Sequence, residues 1–194
     1  MKCITKCIKL SATVSRQIDM HDPQQLEQLK NNLQEQSGIP TGWQMLGIPL
    51  LAGMMLSTVS FALSQPYLWL VICDWLVLPQ HTVMAAIVPV SLIYCLFIVS
   101  AMFFVARGSY PALKLFLVIV LFSGLVAMMN FGAVCGLTLL GDGQKTGFIL
   151  CAVLGLIATV GSLCCLNSTQ FYRSCALYLH NRVWRKLLSM QQRT

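Results

Sequence analysis

The chain has 194 residues, of which 57% are hydrophobic and 10% charged, and it carries a net charge of +7. An ordinary soluble domain has roughly a quarter charged residues. This composition therefore excludes most soluble enzyme folds, disordered chains and nucleic-acid-binding modules. It predicts an all-α integral membrane protein, a four-transmembrane-helix bundle with amphipathic cytoplasmic helices at both ends. The position of the charge agrees: residues 43–167 hold only Arg107, Lys114, Lys145, Asp74 and Asp142. Three parts are expected, a helical N-terminal extension over 1–42, a four-span bundle over 43–167 and a basic C-terminal helix over 168–194.

Residues 1–20 lack the continuous apolar core of a signal peptide. Cys3, Cys7, Leu10, Val14 and Ile18 recur at helical spacing, with Ile4 and Ile8 widening the face and Lys2, Lys6, Lys9 and Arg16 mostly opposite. A basic helix with an apolar stripe lies in a membrane interface or packs on a partner or its own protein. Next, Asp22 is a good N-cap, Pro23 suits the first helical position and Gln25 completes a capping-box pattern. That helix should run to about Gln36 and stop at Gly38. Its narrow stripe of Leu26, Leu29 and Leu33 is too short for a coiled coil alone. It offers itself to a partner helix or to the protein's own tail. Ile39-Pro40-Thr41-Gly42 breaks the chain before the first span.

Four apolar stretches follow, over 43–63, 82–106, 111–140 and 146–166, each reaching the ~20 residues that cross hydrocarbon. The first begins at Trp43, an interfacial residue type. The apolar piece 67–78, with Trp69, Trp75 and Asp74, is too short to cross. It reads as interfacial, re-entrant or an extension of the first span. Pro89 is expected to kink the second span. Basic residues concentrate in both ends and in the connection bearing Arg107 and Lys114, while the other two connections have few or none. By the positive-inside rule both termini are cytoplasmic. The tail from Ser168 carries Arg173, Arg182, Arg185, Lys186 and Arg193 and no acid. Either it continues the fourth span or Asn167-Ser168-Thr169 caps a separate helix. Arg182, Arg185 and Lys186 are expected, with Leu26, Leu29 and Leu33, to dock a partner or the membrane surface.

Gly132 and Gly136 form a G-x-x-x-G in the third span, and Gly155, Thr159 and Ser162 repeat small residues in the fourth. Small faces let helices approach closely, within one chain or between subunits. Gly132, Gly136, Gly155 and Ser162 are accordingly expected at an oligomer contact. Asn130 is the conspicuous polar residue deep in a span and needs a partner there. With Ser123 and Thr138 it is expected either as polar glue between helices or as a pore lining.

Chemistry is harder to find. Gly141-Asp142-Gly143-Gln144-Lys145-Thr146 fails as a phosphate loop because Gln144 separates Gly143 from Lys145, and it reads as a tight external turn. His21, His81 and His180 have no second ligand or base at useful spacing. The nine cysteines include no C-x-x-C and no Cys/His cluster, so zinc and thioredoxin-like chemistry are unsupported. Cys73, Cys135 and Cys151 should lie near the external side, where a disulfide can form. No enzyme activity, cofactor, metal or directly bound nucleic acid is expected. Claudins have a large first external segment with paired cysteines, and tetraspanins a large second external loop; both features are missing. In size and topology the chain looks like small accessory membrane proteins of the bacterial inner membrane, which implies defence, secretion or conjugation as a setting. The expected function is a non-enzymatic membrane subunit that forms homo-oligomers in the lipid bilayer and anchors or senses for a cytoplasmic protein partner. An oligomeric ion channel or pore is the alternative.

Overall fold

A computed structural model describes residues 2–19, 23–38, 47–79, 81–139 and 146–192. The described residues are all-helical, with seven helices and no strands. They are α1 (Lys2–Asp19), α2 (Pro23–Ser37), α3 (Ile48–Trp75), α4 (Thr82–Ala106), α5 (Tyr110–Leu139), α6 (Thr146–Leu166) and α7 (Thr169–Gln191). Four of them, α3 to α6, are long and apolar enough to cross a membrane. The expected N-cap at Asp22, the breaker 39–42, Trp43, His21, Arg193 and the turn 141–145 lie outside the described residues.

The helix ends follow from local chemistry. Gly38 closes α2 with a positive φ of 72° and donates its amide to Glu35 O. The segment 67–75 is the far end of α3, so the apolar piece that is too short to span extends the first apolar helix. Pro66 sits inside this helix on an exposed position. Two helices end in the same motif. At the end of α4, Ser109 N bonds Phe104 O (3.1 Å) and Gly108 N bonds Val105 O (2.8 Å), the paired bonds of a Schellman cap. Gly108 takes the left-handed position, with φ 79°. At the end of α3, Leu78 N bonds Cys73 O and Val77 N bonds Asp74 O, but the left-handed residue is Val77, φ 55°. A β-branched residue is strained there. At the start of α7, Ser168 Oγ accepts from Phe171 N at 3.1 Å. The tail is therefore a separately capped helix, because the serine hydroxyl satisfies an amide that a continuous helix would bond internally.

The chain divides into two compact units. One comprises residues 1–52, 100–117 and 164–194, and the other 53–99 and 118–163. The first unit contains every Lys and Arg except Lys145. Its core joins Val14 and Ile18 of α1, Leu26 and Leu33 of α2, and Leu179 and Val183 of α7. The second unit is held by small and hydroxyl-bearing faces. Gly53, Ser57, Ser60 and Ser64 repeat at helical spacing along α3 and are all buried.

Candidate functional site

In the first unit, α7 is the central strut. Its start is tied to the start of α1, where Cys3 N donates to Asn167 Oδ1 at 3.2 Å. Further along, Cys7 adjoins Cys175, and Val14 and Ile18 meet Leu179 and Val183. The two helices thus run parallel. By contrast, α2 runs antiparallel to α7: Tyr172 OH donates to Gln36 Oε1 at 3.1 Å near one end, while Gln24, Glu27 and Lys30 lie beside Trp184, Leu187 and Leu188 near the other. The buried positions of α1 are Ile4, Cys7, Ser11, Val14 and Ile18, with Cys3 and Leu10 half-buried. Leu26 and Leu33 are 1% exposed, and Leu29 is half-buried against the same core. The α2 leucine stripe therefore meets the chain's own tail, the second of the two surfaces open to it on sequence alone. The adjoining Cys7 thiol, together with burial, holds the Cys175 thiol well above the ordinary thiol pKa, so it stays protonated and unreactive at neutral pH.

What α2 and α7 leave open is a groove of about 330 Å³ bordered by Glu27, Lys30, Trp184, Leu187 and Leu188. Trp184 is 49% exposed and Leu188 39% exposed. Large apolar side chains thus stand beside Glu27 and Lys30 there. Sequence periodicity does not single out Trp184, because its place beside α2 depends on the antiparallel pairing.

The basic tail residues have specific partners. Arg182 Nη1 donates to Gly108 O at 3.0 Å, and Arg185 Nη2 donates to Arg107 O at 3.0 Å. Both guanidinium groups thus bind the carbonyl end of α4, where the helix dipole is negative. Lys186 is half-buried on the same helix. The approach is close: a Cβ on Gly108 would stand 2.8 Å from Tyr178 O, which explains the glycine sterically as well as conformationally. An Arg-Gly pair ending an apolar run does signal a cap; nothing in the sequence shows that α7 covers it.

The second unit closes a hydroxyl network. Ser123 Oγ donates to Val120 O (2.8 Å), so it accepts from Ser57 Oγ (2.7 Å), which in turn accepts from Tyr94 OH (2.8 Å). Likewise Thr159 Oγ1 donates to Gly155 O and accepts from Ser60 Oγ at 2.7 Å. Ser162 Oγ donates to Gly53 O at 2.8 Å, and Gly155 lies 3.7 Å from both Ser60 O and Ser64 Oγ, measured from where its Cβ would be. Gly155 and Ser162 therefore serve α3–α6 packing within the chain. Gly132 and Gly136 have no neighbour within 4 Å of a built Cβ. Thr138 spends its hydroxyl on Val134 O of its own helix. Asn130 is 2% exposed, and its Oδ1 is buried without a hydrogen-bond partner. The structure thus joins Ser123 to a network that includes neither Asn130 nor Thr138.

Among the described residues, no group of three His, Cys, Asp or Glu stands ready to hold a metal. Cys73, Cys135 and Cys151 are free thiols. His180 has both ring nitrogens buried without partners in α7, so no base orients it for catalysis. Comparison with known protein families, curated proteins and solved structures gives no match.

Proposed function

We propose that this chain is an integral membrane protein with four spans and both termini in the cytoplasm, acting as a non-enzymatic subunit that holds a cytoplasmic protein partner. The bacterial inner membrane is its proposed location. Membrane insertion is supported by the four long apolar helices and by exposed residues such as Phe97, Phe122, Leu125 and Met128. Water would penalise that much exposed apolar surface, and hydrocarbon would not. Orientation rests on the confinement of every Lys and Arg but Lys145 to the unit bearing both termini. The observation carrying the docking role is the α2–α7 groove flanked by exposed Trp184. A tryptophan beside a cavity is the residue type that most often anchors an interface. Self-association has its own surface in Gly132 and Gly136, whose small face stays open on α5.

The test is affinity purification of the full chain in mild detergent with mass measurement of the complex. A stoichiometric cytosolic protein that is lost with Trp184→Ala supports the reading, and a partner-free monomer refutes it. An oligomeric pore is the alternative, and it requires Asn130, which is 2% exposed within the single chain, to turn toward a lumen between subunits. Liposome conductance that changes with Asn130→Leu would favour that reading.

A further inference from the structure

We infer that the α4–α5 turn, with the α7 arginines bound to it, is a binding site for the phosphate headgroup of an anionic phospholipid. The inference rests on the membrane reading above. The turn joins the negative end of α4 to the positive end of α5. Arg182 and Arg185 attach to adjacent carbonyls of that turn, each at 3.0 Å, so their side chains are held in place before any ligand arrives. A guanidinium has five N–H donors. Arg182 uses one on Gly108 O, while Arg185 uses two, on Arg107 O and on Asn181 O.

Two further cations stand at the same turn. The Arg107 guanidinium carbon lies 4.6 Å above the Phe103 ring, and Lys114 Nζ lies 4.7 Å from the Tyr110 ring centroid. Both residues are exposed. Segments 100–117 and 168–192 contain no Asp or Glu. Four like charges therefore gather with no carboxylate from either segment to neutralise them. Their mutual repulsion is relieved by an anion, and planar guanidinium groups match phosphate oxygens well. What selects a lipid over free phosphate is the apolar surface beside the cations. Phe103, Phe104 and Leu115 are 52%, 51% and 47% exposed and offer a wall for acyl chains.

The experiment uses the full chain purified in mild detergent, titrated with phosphatidylglycerol or phosphatidylcholine and read by native mass spectrometry. Phosphatidylglycerol is expected to bind at least about fivefold better than phosphatidylcholine, with about a fivefold loss for each charge removed. Arg107→Gln and Lys114→Gln are the informative variants, since both side chains are exposed and neither holds the turn. Arg173→Gln removes the same charge from an exposed position near the start of α7 and is expected to change binding less than twofold. Equal losses in Arg107→Gln and Arg173→Gln would overturn the site in favour of diffuse charge. Inorganic phosphate binding to the delipidated protein with the same variant sensitivity would overturn the lipid assignment. Extraction of cell membranes with alkaline carbonate separates the two levels. A chain released into the supernatant defeats the membrane reading and this inference together, whereas an embedded chain that binds both lipids equally defeats the inference alone.

Discussion

Leu33→Ala is the sharpest perturbation of the helical platform. Helix α2 has 15 residues, a length at which an isolated helix is marginal in water. Its persistence therefore depends on the side chains it buries against α1 and α7. Leu33 is 1% exposed, and its removal leaves Leu26 as the only fully buried residue of α2 in that core. Truncating a buried leucine costs about 2–5 kcal/mol, the lower figure applying where neighbours close the gap. Because α2 can detach without unfolding the rest, the loss falls on local opening. At about 1.4 kcal/mol per tenfold, amide exchange in 24–37 should accelerate at least about thirtyfold. Hydrogen-exchange mass spectrometry reads this directly, with peptides from α6 as the internal reference. Asn32→Ala, at an exposed position of the same helix, should leave exchange unchanged or slow it, since alanine favours the helix. If Leu33→Ala exchanges no faster than Asn32→Ala, α2 is not docked on α7 and the groove beside Trp184 does not exist.

Three other perturbations test separate parts of the molecule. The two Schellman caps predict opposite outcomes: Val77→Gly relieves a left-handed β-branched residue and should stabilise by about 1 kcal/mol, while Gly108→Ala should destabilise by more than about 1 kcal/mol, because strain adds to the 2.8 Å approach of Tyr178 O; thermal unfolding in detergent compares them. Ser57→Ala removes the hydroxyl that Tyr94 OH and Ser123 Oγ share and should cost about 1–3 kcal/mol in a denaturant titration followed by tryptophan fluorescence, so a cost within error would show that the network bears no stability. The Cys175 thiol is raised above its ordinary value of 9.0 by the adjoining Cys7 and by burial. Its contribution is full below the unfolded thiol pKa and is lost as pH rises from there through the folded value, so alkaline destabilisation should be shallower in Cys175→Ala.

Sequence by itself determined what each segment is. The apolar runs at 82–106 and 146–166 coincide with α4 and α6, because a stretch of that length without charge has few alternatives to a helix. The α2 boundary at Gly38 was legible for a similar reason, being set by residues within a turn of it, whereas the cap at Ser168 was one of two readings open on sequence and the structure decided for it. The 3–4 spacing of Cys7, Leu10, Val14 and Ile18 likewise announced an apolar face on α1. Periodicity names a face, however, and does not say what covers it. Only the tertiary structure decided that the Leu26–Leu33 stripe meets α7, that Arg182 and Arg185 bind the carbonyls of the α4–α5 turn, and that Gly155 and Ser162 serve α3. These pairings join residues 74 or more positions apart, the shortest being Gly108 with Arg182. Contacts at that separation depend on how helices come together, whereas propensity and capping act within a few residues. The same distinction accounts for the fate of the charge. Composition placed the cations at the ends of the chain and beside one turn, and folding brought Arg182 and Arg185 onto that turn.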